Sequence, residues 1–244
     1  MERAMRNLVV ALLVVVGLVG CSTRSISNSG YDRGYYGAAA DNPFYQGELS
    51  EFDVLGIATS DSYDQTRIAA RLAQTKRSPS LTKGDAVLLI QSGAMLPDQD
   101  MLDQLSPSFR VIPFSGVPEK RDDNKSGYAS SLRYAAAGAG VETIVVYWGI
   151  LEAGSENLGT KTVSWIPIVG AVVPDENQLM RIRLKVCVID VESGAWDIFT
   201  PEALTDSALS AVLNRGQSDQ RQVARLKEQA YAAASRDLLL RYEH

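Results

Sequence analysis

Hydrophobic and polar positions along the chain fall into three regimes. Residues 8–19 form an unbroken apolar run behind Arg3 and Arg6. It is too short for a comfortable membrane span but the right size for the central region of a signal peptide. From 22 to 49 the chain turns to Ser, Gly, Asn, Tyr and Ala with no sustained period. Past residue 50 periodic patterns take over and continue to the end.

Within the periodic part, 52–57 predicts a short strand. Thr59 or Ser60 then caps a helix reaching about 75, with Tyr63, Ile68, Ala69 and Leu72 near one face. The apolar run 86–90 predicts a central strand, 97–105 a short helix, and 109–114 a second strand. A charged loop over 119–125 leads to a helix over 126–139, where Tyr128, Leu132, Ala135, Ala136 and Ala139 line one side. Residues 142–148 are rich in strand formers. Strand, helix, strand, helix, strand in that order predicts a partly parallel sheet covered by helices.

The pattern then changes. Residues 162–169 and 179–191 predict long strands around a turn at 174–177. In the second, Ile182, Leu184, Val186 and Val188 share one face. Arg181, Arg183 and Lys185 start the other face, which continues with Cys187, Ile189 and Val191. That switch predicts a strand solvated at one end and covered at the other. A tight turn at 192–194 returns the chain as a hairpin strand at 196–199. From 204 onward the pattern predicts helices, broken near 214–216. The last, over 218–242, carries a stripe of Val223, Leu226, Ala230, Ala233 and Ala234 for its own domain or a neighbouring subunit. The expected fold is therefore α/β: a mixed sheet with helices against it, an antiparallel hairpin near the C-terminal side and a C-terminal helical segment. The expected division is a signal peptide (1–20), a lipidated flexible tether (21–50), an α/β domain (51–203) and C-terminal helices (204–244).

Residues 18–21, Leu-Val-Gly-Cys, change the meaning of the apolar run. They resemble the bacterial lipobox, in which the cysteine sulfur takes diacylglycerol, the chain is cut just before it, and the freed amine takes a further acyl chain such as palmitate. Cys21 is the expected lipidation site, and two or three acyl chains hold a protein to a membrane where one does not. Ser22, rather than Asp, follows the cysteine. In the Gram-negative sorting rule this resembles an outer-membrane address, with the body facing the periplasm. A random-coil tether of this length would hold the body roughly 30 Å off.

Charge and residue counts then exclude several functions. The chain carries a net charge of −5, and removing 1–20 takes away two Arg and one Glu to leave −6. No nucleic-acid partner is expected of so acidic a chain. Lipid on Cys21 leaves Cys187 without an intramolecular partner, as a packed small side chain. His244 is the only histidine, which removes histidine-activated nucleophiles and His-rich zinc sites. No metal or cofactor is expected.

Carboxylates are the remaining catalytic material. Asp98, Asp100 and Asp103 read as a solvated acidic first turn. Glu152, Glu156, Asp175 and Glu176 sit where a glycan hydrolase site would need a pair, with no spacing to define one. Ser92-Gly93 lacks the pattern of a nucleophile elbow. No enzyme is expected, with an envelope-glycan hydrolase as the alternative. Residues 165–174, Trp-Ile-Pro-Ile-Val-Gly-Ala-Val-Val-Pro, are unusually apolar beside a turn. If exposed, Trp165, Ile166, Ile168, Val169 and Val172 form an interaction surface; if buried, they are core.

Residues 183–196, Arg-Leu-Lys-Val-Cys-Val-Ile-Asp-Val-Glu-Ser-Gly-Ala-Trp, carry a likeness. They resemble the hairpin of the curli-secretion lipoprotein and of the lipoprotein activators of penicillin-binding proteins, whose fold is similar to the N-terminal domain of the Tol-system periplasmic protein. Residues 139–148 look like a segment of the same family. Asp190 and Gly194 carry the turn, one accepting backbone N–H bonds and the other supplying a positive φ. The family's first strand ends in Pro-Phe, whereas here Pro113-Phe114 follows the second. The resemblance implies a non-enzymatic envelope lipoprotein that assembles with itself or docks on a cell-wall or secretion machine. A structural subunit of a secretion or polysaccharide-export apparatus is the alternative.

Overall fold

A computed structural model describes residues 24–29, 42, 44–57, 61–74, 79–118, 127–156, 163–167, 177–203, 205–209 and 215–242. The acylation candidate Cys21 lies outside them, as do Ile168, Val169, Val172 and the charged loop 119–125.

Seven strands among the described residues form one mixed sheet: β1 (Ala86–Gln91), β2 (Arg110–Phe114), β3 (Thr143–Glu156), β4 (Val163–Pro167), β5 (Asn177–Asp190), β6 (Trp196–Phe199) and β7 (Thr205–Leu209). β1 lies between β2 and β3 and runs parallel to both. β5 runs antiparallel along nearly the whole of β3. Because these two strands are long, the sheet has two ends. At one end the order is β2-β1-β3-β5-β6, and at the other β4-β3-β5-β7.

Helices are α1 (Glu51–Leu55), α2 (Gln65–Gln74), α3 (Gln99–Leu105), α4 (Tyr128–Gly138) and α5 (Arg215–Tyr242), preceded by a 3-10 turn at Ile26–Asn28. The crossovers from β1 to β2 and from β2 to β3 move in opposite directions across the sheet. Right-handed connections therefore put α3 and α4 on opposite faces. One face joins Val87, Leu89, Val145, Ile182, Leu184 and Val186 to Met101 and Leu105 of α3 and to Val223, Leu226 and Ala230 of α5. The other joins Leu88, Ile90, Ile144, Val146, Cys187 and Ile189 to Val54 of α1 and to Leu132 and Ala136 of α4. Each fully buried aliphatic side chain contributes about 1.5–3 kcal/mol. The small residues Ala230 and Ala234 let α5 approach closely, so its stripe is spent within its own chain.

Three expectations are corrected. Residues 52–57 are not a strand: 51–55 form α1, with Glu51 and Asp53 in its first turn and Gly56 closing it at φ 69°. Residues 205–209 are not helical: they form β7, because β5 extends beyond β6 and offers a free edge there.

The third concerns the tether over 21–50, part of which is docked. β1 covers the edge of β3 as far as Tyr147, and β4 covers it from Glu152. Between them Ser25 pairs antiparallel with Ile150, and Leu151 N donates to Arg24 O at 3.0 Å. The unpaired stretch of ladder supplies the reason, since backbone groups at a buried edge must find partners. Ile26 is buried in the core, and Ser27 Oγ donates to Ser92 O at 2.6 Å.

Candidate interaction surface

The β4 end of the sheet holds the residues singled out in the apolar stretch. Trp165 lies opposite Gly154 of β3, and Glu152 lies opposite Arg181 of β5. The Arg181 guanidinium covers the Trp165 ring at 4.0 Å from its centroid. Its Nε donates to Glu152 Oε2 at 2.5 Å, while Arg183 Nη2 lies 3.2 Å from Oε1. Glu152 is only 4% exposed. Farther along the same face Lys185 pairs with Glu51 of α1. The cations of β5 are thus held by carboxylates, a buried acid between two of them.

Successive residues of β4 point to opposite faces. Trp165 is half-buried under Arg181, whereas Ile166, on the other face, is 61% exposed. Among the described strands β4 pairs only with β3, so its outer edge has no strand beside it. The result is an edge strand with one aromatic residue clamped and one apolar residue presented.

The turn after β5 is built by Asp190 and Gly194. Asp190 Oδ1 accepts from Ser193 N at 2.7 Å, and Gly194 N donates to Asp190 O at 2.9 Å. Gly194 has φ 69°, and a Cβ there would meet Arg133 Nη1 at 2.8 Å. Arg133 of α4 in turn donates from Nε to Val191 O at 2.7 Å, fastening the hairpin to the helix.

A family model described as YafT bacterial lipoprotein matches residues 50–241. The chain belongs to that lipoprotein family. Its match covers every strand and every helix from α1 to nearly the end of α5. No curated protein matches this lipoprotein. Among solved structures, the hypothetical protein CT253 from Chlamydia trachomatis is 13% identical, with 66% of this chain and 95% of that one covered at a TM-score of 0.33. The PelC dodecamer from Paraburkholderia phytofirmans is 13% identical, with 64% and 95% covered at a TM-score of 0.25.

Asp98 and Asp103 of the lipoprotein have structural partners. Asp98 Oδ2 accepts from Lys227 Nζ at 2.8 Å and from Tyr231 Oη at 2.5 Å. Asp103 Oδ1 accepts from Gln99 Nε2 at 2.7 Å. Asp175 and Glu176 lie outside the described residues. Ser92 is buried, and its Oγ accepts from Leu49 N at 2.8 Å. Burial pushes the Cys187 thiol up to about 12, which keeps it protonated and inert. Among the described residues no group of three metal-ligating side chains converges, and no helix is long and apolar enough to cross a membrane.

One polar cluster escapes sequence reasoning. Tyr147 Oη donates to Gln91 Oε1 at 2.6 Å, Gln91 Nε2 donates to Ser27 Oγ at 3.0 Å, and Asp98 N donates to Gln91 Oε1 at 2.7 Å. Tyr147 and Tyr231 meet edge to face at 5.8 Å. Burial raises both phenols far above their usual range. The cluster joins β1, β3, α5 and the docked N-terminal turn at the C-terminal end of the parallel strands. The only hint in the sequence is a pair of polar side chains, Gln91 closing one apolar run and Tyr147 following another.

Proposed function

We propose that this lipoprotein is acylated on Cys21, resides in the outer membrane with its body facing the periplasm, and acts there as a non-enzymatic assembly module for an envelope protein. The observation that carries the reading is the β4 edge. Ile166 is presented beside a strand whose other residue, Trp165, is fixed by Arg181 and the buried Glu152. An exposed edge strand accepts a partner strand through main-chain hydrogen bonds, with an apolar side chain adding affinity. Acylation raises the local concentration of the two partners, and no bond is made or broken.

Membership in a lipoprotein family and the lipobox at 18–21 support acylation, and Ser22 supports the outer membrane. The likeness of 183–196 to the curli-secretion and penicillin-binding-protein activator hairpins supports an assembly role.

The test places a photo-crosslinking residue at Ile166 in cells and follows the soluble form from Ser22 by light scattering. A discrete crosslinked product with an envelope protein, lost when the crosslinker is moved to Tyr134, is the expected result. A strict monomer that yields no product from position 166 contradicts it. A large symmetric oligomer crosslinked to itself would make the partner a further copy of this chain.

A further inference from the structure

Between the acylation candidate and the folded body there is almost no chain. Arg24 stands three residues after Cys21, and its carbonyl is already bonded to Leu151 of β3. At about 3.3–3.6 Å per residue, three residues reach at most about 11 Å. The anchor point therefore lies close to Arg24, and a random-coil stand-off of roughly 30 Å does not apply to a chain docked this early.

Beside this docked segment three large apolar side chains are exposed. Phe44, Met95 and Leu96 are 62%, 63% and 66% exposed. Together with Ile26 and Ser27 of the docked turn they line one cavity of about 340 Å³. Neither Met95 nor Leu96 belongs to a helix or strand: they lie in the connection after β1, held by Ala94 N donating to Gln91 O and by Gly116 N donating to Ala94 O. The loop is thus fixed by backbone bonds while its apolar side chains face outward.

We infer that Phe44, Met95 and Leu96 form a foot seated in the interfacial zone of the bilayer that carries the Cys21 acyl chains. The inference rests on the acylation reading above. The short connection decides the occupant, because the leaflet holding the anchor is the one apolar phase brought within reach of this end of the sheet. Apolar side chains next to a lipid anchor supply the second membrane contact that fixes orientation, which acyl chains on a free tether do not.

The test uses the full-length acylated protein in vesicles of phosphatidylethanolamine and phosphatidylglycerol. A nitroxide is placed through Leu96→Cys or, beside the residues that lead into β3, through Tyr134→Cys. Cys187 is buried and does not compete for the label. The label at 96 should be severalfold better protected from a water-soluble nickel relaxant than the label at 134. Adding Phe44→Ser with Met95→Ser should remove most of that protection. Equal nickel access at 96 and 134, on protein whose intact mass carries diacylglycerol, overturns the foot and leaves acylation standing. An intact mass without lipid overturns the acylation reading and the foot together.

Discussion

Ile26 occupies the space that a side chain on Gly149 would need. A Cβ at Gly149 would lie 2.8 Å from Ile26 Cδ1 and 2.7 Å from Leu184 Cδ2. The missing side chain on β3 is what lets the N-terminal turn lie down on the sheet. Gly149→Val should therefore undock residues 24–29 and destabilise the fold by about 1–3 kcal/mol. Limited trypsin digestion at Arg24 reads the undocking: fast cleavage in the variant and slow cleavage in the parent are expected. Equal rates would mean that the turn does not depend on this contact.

Glu152 is buried between Arg181 and Arg183, so its removal leaves two cations without their acid. Glu152→Ala should cost about 3 kcal/mol in urea denaturation, the penalty being the uncompensated charge rather than the lost pair. The double change Glu152→Leu with Arg181→Met should recover most of that loss. A single variant as stable as the parent would show that the pair is solvated.

Asp98 binds α5 to the rest of the molecule through Lys227 and Tyr231. Asp98→Ala removes the carboxylate acceptor of the buried Tyr231 hydroxyl and should cost about 2–3 kcal/mol, whereas Asp98→Asn keeps an acceptor and should cost about 1 kcal/mol. Amide hydrogen exchange along α5 should accelerate in the alanine variant and much less in the asparagine variant. Identical exchange in both would remove Asp98 from the account of helix docking.

Glu48 should give the fold a pH dependence. Burial raises its carboxyl above the ordinary value of 4.5, with the hydroxyls of Ser25, Ser92 and Tyr45 offsetting part of the rise. The folded chain therefore holds this proton more tightly than the unfolded chain. Its contribution is fully present below 4.5 and is lost as pH rises through the folded value. Relative to Glu48→Gln, the parent should lose thermal stability as pH rises from that value toward neutrality. A parent-minus-variant difference that is flat with pH would contradict the raised carboxyl.

The legible parts of the fold are those whose local pattern and tertiary role agree. Residues 86–90 are apolar without a break because β1 is covered on both faces, and 182–188 alternate because β5 meets α5 on one face. The α1 segment misleads because Phe52, Val54, Leu55 and Ile57 look like a strand, while the acidic first turn and Gly56 mark a helix. β7 is hidden because Thr-Asp-Ser-Ala-Leu has little strand preference and forms only where β5 leaves an edge. Residues 25–29 read as spacer because one isoleucine among serines has no period. Their place is set by a gap on β3 that no local pattern reveals. For the surface, the apolar content of 165–174 is plain, but the pairing of Trp165 with Arg181 depends on register between distant strands.

Attachment through Cys21 underlies the membrane placement and everything built on it. Growth with radiolabelled palmitate, followed by isolation of the parent and of Cys21→Ala, tests it most directly. Label in the parent and none in the variant is the predicted result; label in neither, or equal label in both, contradicts it.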